Sequence, residues 1–391
     1  MSLLRRDSSA ATQLLPSRIS GARAGRTPVT SRSAMQQSVI WAGMNIHAAL
    51  ESMMPVDTLR ILTTGERVSV ANPPVLVNPS TFAEGHPDTI SDWLYASRMS
   101  MQGWGNSFGE ITARDKLGLP SQIQLIPADD VVCKVKNYRI VEYRFGKMVM
   151  DPSRVWHERA NLLPGIPVGL SPFAYAMLAI ETASSARTFA ADWFGNSAFP
   201  GGHMKNTAKV LTDGQSDAIK ARFASQQQAG GLLVTGQDWT FTAIQAKAAE
   251  AGFIEAMAYT DTELCRYMNV PANVVDVAVT GGATINYANI TQKNLDFMVS
   301  RMGPNLKRRD DALTTLTPRP RIVRLNRAAF LAMDPATTAE LMKVQIESRT
   351  RTPSELRRLE DKPEYTEADY AEFDRLFGSK NQTPTPKGIP A

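Results

Sequence analysis

Histidine, cysteine and long apolar runs are all scarce in this chain, and each shortage closes off a class of function. Four histidines, His47, His86, His157 and His203, occur in 391 residues; no two lie at helical spacing and no HExxH or other metal-ligand pairing accompanies them. A metal site is therefore not expected, and neither is a cofactor. The two cysteines, Cys133 and Cys265, lie far apart and form no CxxC, which argues against a disulfide framework and predicts two buried apolar side chains. No stretch approaches the roughly 18 consecutive apolar residues of a membrane helix, and the N-terminus has no apolar signal core, so no membrane partner is expected. GxSxG is absent, as is the GxxxxGKS/T loop of ordinary ATP-driven motors. Gly281 and Gly282 have neither the GxGxxG spacing nor a suitably placed acidic partner.

What the chain does contain is a core and an uneven charge. Hydrophobic residues make up 43%, enough for two or three compact units. Residues 1–34 hold six arginines against Asp7, a net +5 that equals the charge of the whole chain, so the body is neutral. With Ser, Ala, Gly, Thr and Pro between those arginines, the segment reads as a flexible basic arm, either a solvated tail or an arm that touches phosphates or an acidic partner. Residues 379–391 are polar and Pro-rich and read as a second loose tail.

Between the tails the pattern is α+β. Helical spacing runs from Val39 to Met53 and stops at Pro55; it resumes from Asp88 to Trp104 and stops at Gly103 and Gly105. Strand-like runs follow, FGEITARD, SQIQLIPADDVVCKV, YRIVEYRF and KMVMD, with turns at Gly118 and Gly146, which together predict a small antiparallel sheet. Asp129 and Asp130 are a turn or a cation site. A long Ala-rich helix is expected from Ser171 to about Ser197, with Pro172 in its first turn. An α/β insert comes next: a helix from Asp213 to Gln228, then the strands GLLVT and WTFTAIQ. A helix over 248–269 ends at Pro271, an uncharged Gly-containing loop follows, and a helix from about Asn289 to Thr315 contains Gly303 and Pro304 and should kink there. RIVRLNRAAFL is one more strand, and two helices, split near Thr352 and Pro353, close the chain.

Chemistry is sparse. His157, in VWHERA, is either a general base or a hydrogen-bonded structural residue. From Arg301 to Arg327 eight basic residues face only Asp310 and Asp311, which reads as a solvated face or as a strip near a polyanion. The loop from Thr280 to Tyr287 has no charge, as suits a surface that lets DNA slide past without deep electrostatic wells.

Five stretches in this order resemble the portal proteins of tailed double-stranded DNA phages, of the short-chain, long-tailed-phage type, over about 35–377. They are VIWAGMNIHAALESMMPVDTLR, GWGNSFGEITARDKLGLPSQIQLIPADDV, HERANLLPGIPVGLSPFAYAMLAIETA, YMNVPANVVDVAVTGGATINYANITQKNLDFMVSRMGPNLKRRDDAL and RTPSELRRLEDKPEY. The resemblance implies the portal fold, assembled as a cyclic ring of twelve subunits at one capsid vertex of the virion, with assembly in the host cytoplasm. It implies a wing over 35–170, stem helices over 171–198 and 248–270, and a clip over 199–247. It further implies a tunnel loop over 271–287, a kinked helix and wing strand over 288–333 and crown helices over 334–378. Thr280, Gly281, Gly282, Ala283, Thr284, Ile285 and Asn286 would then line the tunnel. Arg301, Lys307, Arg308 and Arg309 would contact DNA or a neighbouring subunit, and Lys205, Lys209, Lys220 and Arg222 would face the motor or connector. The implied partners are other copies of the chain, passing double-stranded DNA, the large terminase, the major capsid protein or scaffold, and head-completion proteins. No enzymatic activity is implied. Two other classes stay open: a hydrolase using Cys133 or His157, and a sequence-specific DNA-binding protein, which would need a recognition helix that these Ala-rich helices do not supply.

Overall fold

Gln13–Pro16 (β1), inside the segment expected to be a free arm, lies antiparallel on a later strand with Gln13 opposite Val135, so part of the arm is tied down by backbone pairing. The computed structural model describes residues 13–16, 30–195, 202–206, 213–228, 239–243, 249–275, 277, 296–327, 335–359 and 362–377. Two units are distinguished, Met1–Leu325 and Asn326–Ala391.

In the first unit a capping box between Thr30 and Ser33 starts a short helix, α1 (Ser31–Met35), ahead of α2 (Ser38–Ser52). Val39, Ile40, Met44 and Ala48 of α2 are buried, and the helix ends before Pro55 as its pattern requires. Strand β2 (Val56–Ile61) then pairs with β3 (Arg67–Val70) on one side and with β14 (Arg321–Leu325) on the other. Two short strands, β4 (Thr81–Ala83) and β5 (His86–Pro87), precede α3 (Ile90–Trp104), which is capped by the Thr89 hydroxyl and stopped by Gly105 in the left-handed region.

The expected single sheet is resolved into two. Strand β6 (Asn106–Arg114) pairs with β7 (Pro120–Ile126), and β11 (Val155–Arg159) covers its other edge. Strands β8 (Val131–Lys136), β9 (Arg139–Phe145) and β10 (Met148–Met150) form a meander that β1 extends. One run, SQIQLIPADDVVCKV, contributes to both sheets, because Asp129 and Asp130 lie in a 3-10 turn that redirects it. Phe108, Val131, Cys133, Tyr143 and Met150 form the core between these strands.

The long helix is interrupted at Ala176, giving α4 (Pro172–Tyr175) and α5 (Met177–Gly195), with Pro172 in the first turn. Strand β12 (Gly202–Asn206) pairs with β13 (Trp239–Ala243), and α6 (Asp213–Gln228) lies between them in sequence at the bounds expected for it. The described partner of WTFTA is thus GHMKN; GLLVT lies outside the described residues. Helix α7 (Ala249–Tyr267) packs beside α5, where Arg187 and Asp261 approach to 3.7 Å. At the expected kink the chain forms a π-helical stretch, Phe297–Met302, running directly into α8 (Gly303–Thr314). Pro304 has no N–H to give to the preceding turn, and the looser π winding accommodates that loss. Asp310 of α8 accepts the Leu325 N–H at 2.9 Å and so fixes β14 beneath it.

Among the described residues the second unit has three helices where two were expected: α9 (Pro335–Glu347), α10 (Pro353–Leu359) and α11 (Glu367–Phe377). Thr352 and Glu355 exchange backbone N–H bonds at the start of α10, and Thr366 and Asp369 do the same at α11, so each break is a cap written into the sequence. The second of these caps is the signal that a two-helix reading overlooks.

Candidate functional site

Three clusters of polar side chains organise the first unit. The first joins two of the motifs singled out above. Asn106, which opens β6, spans the Gly169 backbone: its Nδ2 donates to the Gly169 carbonyl at 2.8 Å and its Oδ1 accepts the Gly169 N–H at 2.7 Å. Ser171 Oγ donates to the Gly103 carbonyl at 2.8 Å, and the Ala160 N–H bonds the Gly105 carbonyl at 2.8 Å. Gly105 sits at φ +70°, and a Cβ there would collide with the Leu170 carbonyl; a Cβ on Gly169 would collide with the carbonyls of Gly105 and Ala160. Only glycine permits this backbone crossing. GWGNS and GLSP are thus the two halves of one clasp where α3 and β6 meet the start of α4.

His157 belongs to this clasp. One ring nitrogen, Nε2, lies 3.0 Å from Asn106 Oδ1, the other, Nδ1, lies 3.0 Å from the Tyr143 hydroxyl, and the ring stacks on Phe108 with centroids 4.3 Å apart. Burial, helped by the nearby Arg159 charge, pushes its pKa down to about 3. Cys133 is fully buried opposite Tyr143 in the β8–β9 ladder, and burial pushes its thiol up to about 12. A neutral imidazole with both nitrogens engaged, and a thiol that does not ionise near neutral pH, offer neither a free base nor a thiolate.

The second cluster is a buried ionic quartet. Arg309 of α8 donates through Nε to Glu51 Oε1 of α2 at 2.7 Å and through Nη1 to Glu158 of β11; Arg98 of α3 donates through Nε to the other Glu51 oxygen at 2.5 Å. Glu51 and Arg309 are fully buried. Burial works against the Glu51 carboxylate, but Arg309 and Arg98 outweigh it and hold its pKa below the ordinary value. Glu158, whose Oε1 has no hydrogen-bond partner among the described residues, is raised by burial despite Arg309. This arrangement corrects the expectation for Arg309: a fully enclosed guanidinium bound to two carboxylates is not a surface contact for DNA or for a neighbouring subunit.

The third cluster closes the base of the loop. Asn269, in the left-handed region at φ +57°, ends α7; its carbonyl lies 3.3 Å from His47 Nε2 of α2, and its Oδ1 accepts from Arg301 Nη1 at 3.0 Å. The His47 ring also meets Phe297, with centroids 5.4 Å apart. Gly43, one turn before His47, lets Met268 approach: a Cβ there would lie 3.0 Å from Met268 Cβ. Entry to the loop (Met268–Val270) and exit from it (Phe297–Arg301) are therefore held together on α2. Burial, followed by the Arg98 charge, pushes His47 down to about 4.

The remaining expected site residues divide as follows. Arg301 sits at the loop base, Lys307 pairs with Asp311 one turn along α8, and Arg308 is exposed. Lys205 is exposed on β12, opposite Thr240. Lys220 and Arg222 lie on α6. Lys209 and the loop residues Thr280, Gly281, Gly282, Ala283, Thr284, Ile285 and Asn286 lie outside the described residues. The quartet escaped sequence reasoning, yet it had a signal: Arg309 falls between Leu306 and Leu313 on the buried stripe of α8, as Arg98 does between Leu94 and Met101 on α3.

This fold, with helices α5 and α7 flanking an α/β insert and a loop closed on α2, is that of solved portal proteins. A HK97-family phage portal protein from Corynebacterium diphtheriae superposes with a TM-score of 0.59 at 16% identity, covering 78% of this chain and 99% of that one. A chain from the neck of a native gene transfer agent particle, computed with C12 symmetry, gives 0.55 at 18% identity, covering 85% and 92%. The model of the phage portal protein family matches residues 38–361, and the chain belongs to that family. The portal protein of Enterobacteria phage HK97 is 25% identical over 365 residues, 89% of this chain and 84% of its own length. A probable portal protein of Streptomyces phage phiC31 is 23% identical over 360 residues, 87% and 77% respectively.

Proposed function

We propose that the chain forms a closed ring, of twelve copies, at one vertex of a phage capsid, and that double-stranded DNA passes through its centre during packaging and ejection. In this reading residues 35–170 are the wing, 171–198 and 248–270 the stem, 199–247 the clip and 334–378 the crown. The uncharged segment Thr280–Asn286 faces the DNA and contacts it sterically. The large terminase docks on the clip, where Lys205, Lys209, Lys220 and Arg222 supply charge; head-completion proteins replace it afterwards, and the capsid protein or scaffold meets the wing. The protein contributes shape and self-association, with the energy supplied by the motor, and it catalyses no reaction of its own. Closed rings follow when each copy presents two different surfaces to its two neighbours.

The observation that carries this reading is the loop base on α2. Asn269, Arg301 and His47 join the two chain segments that flank 270–296, and within that span Thr280–Tyr287 carries no charged side chain that would hold a phosphate. Electron microscopy with mass measurement of the purified protein tests the assembly: annular particles with a central opening are expected, and monomers or dimers under all conditions would refute it. Replacing Gly281 and Gly282 with bulky residues tests the channel. Packaging should fail in a reconstituted system, and unchanged packaging would remove the loop from the constriction.

A further inference from the structure

The basic strip read from the sequence does not survive as one surface, and what is left of it points elsewhere. Arg309 is buried, Lys307 is paired with Asp311, and Arg301 is engaged by Asn269. The next arginines along the chain, Arg319 and Arg321, lead into β14, where the register sets Arg321 directly opposite Arg60 of β2. Residues opposite one another in an antiparallel ladder project to the same face, and like charges there destabilise the pairing. The same ladder sets Arg324 opposite Asp57, so the sheet matches charges at one pair and opposes them at another. Arg60 and Arg319 are exposed and Arg321 is half-buried; among the described residues none of the three side chains has a hydrogen bond or ion pair. The nearby β2–β3 turn carries one acidic group, Glu66, immediately followed by the exposed Arg67.

We propose that Arg60, Arg319 and Arg321 form a phosphate-binding end of the β14–β2–β3 sheet that takes the backbone of duplex DNA, separately from the uncharged tunnel loop. Arginine suits this role because its planar fork bonds phosphate oxygens bidentately. An anion between the opposed guanidiniums also removes the repulsion that the register imposes. Asp310 holds β14 through the Leu325 N–H, and Thr314 Oγ1 accepts the Val323 N–H at 3.0 Å, so α8 presents these arginines on a fixed strand. The proposal rests on the portal reading, and it adds a charged contact to the uncharged one assigned there to Thr280–Asn286.

The test uses the full chain and a short mixed-sequence duplex, with binding followed by fluorescence anisotropy over a salt series. The parent should bind with a salt-dependent affinity, and Arg60→Gln, Arg319→Gln and Arg321→Gln should each lower the slope of log K against log salt by about one. Because the replaced side chains have no partner, the melting temperature of the triple variant should not fall. A triple variant that binds duplex with the parent's affinity and slope overturns the proposal. So does a parent that forms rings but binds no duplex at low salt, an outcome that leaves the portal reading intact. If the triple variant keeps its duplex binding but loses ring formation, the arginines face an acidic patch on another copy and the proposal falls in favour of that contact. Absence of rings in the parent would count against the portal reading itself, independently of the binding result.

Discussion

Asn269 grips Arg301 from both ends of its amide: Oδ1 accepts from the guanidinium at 3.0 Å, and Nδ2 donates to the Arg301 carbonyl at 3.4 Å. These residues flank the loop, so the pair spans its base. Arg301→Ala should cost about 1 kcal/mol locally, the scale of an exposed charge-assisted hydrogen bond. Hydrogen exchange should quicken in the π-helical stretch Phe297–Met302 while α3 and β6 keep their protection. Unchanged exchange there would mean that His47 and Phe297 hold the base without it.

The glycine crossing is expected to be the most intolerant feature of the first unit. Gly169→Ala forces a methyl into two carbonyl oxygens, and Gly105→Ala adds the strain of φ +70°. Each should cost several kcal/mol, well above the ~1 kcal/mol typical of a point substitution, and yield insoluble or readily proteolysed protein. Gly146→Ala is the comparison: its φ is +56° but nothing lies within 4 Å of the added carbon, so it should be far milder.

Removing one member of the ionic quartet should be worse than removing a matched pair. Arg309→Met leaves Glu51 with Arg98 alone and Glu158 without its hydrogen-bonded cation, with only the Arg98 charge near it, at a cost of about 3 to 5 kcal/mol. Adding Glu158→Gln to that variant should recover part of the loss, because the stranded carboxylate is gone. Urea denaturation of the single and double variants measures the coupling, and strict additivity would show that the two side chains act independently.

Acid should destabilise the fold earlier than carboxylate titration alone predicts. His47 and His157 are lowered to about 4 and about 3 from an ordinary 6.5, so below that value the unfolded chain binds protons that the folded chain refuses. Their contribution is fully present above pH about 6.5 and is lost as pH falls, by roughly 1.4 kcal/mol per unit for each histidine, until the folded values are reached. Glu51, with its pKa held low, adds to the loss on the acid side of the carboxylate range. His47→Gln should flatten the dependence of the urea midpoint on pH between about 6.5 and 4 by about half.

A thiol-reactive dye offers a direct check on Cys133. The buried thiol, raised to about 12, should stay unlabelled in the native protein at mildly alkaline pH and react at once in denaturant. Rapid native labelling of Cys133 would reopen the case for a reactive cysteine.

Elements whose instructions are local were legible in the sequence. Helix α3 stops where Gly105 turns left-handed, α6 spans Asp213–Gln228 as its pattern says, and the Asp129–Asp130 pair is a turn. Elements that depend on distant partners were not. Strand β1 exists only by pairing with β8, far along the chain, and no periodicity in the arginine-rich arm announces it. The candidate site follows the same rule. Asn106, Gly169 and Ser171 were visible as motifs, but their mutual bonds were not, because spacing along a chain carries no record of which loops cross. Arg309 was misassigned for a related reason: counted in a run of charge it reads as surface, whereas its place on the helix stripe is inside.

The Gly105–Gly169 crossing leaves no slack between two backbones, and that ties the fates of two distant motifs. Neither glycine can acquire a side chain unless the opposite strand of the crossing moves away, and Asn106 would then lose the Gly169 amide it spans. Any redesign that grafts GWGNS onto another scaffold must carry GLSP along with it, since the two behave as a single part.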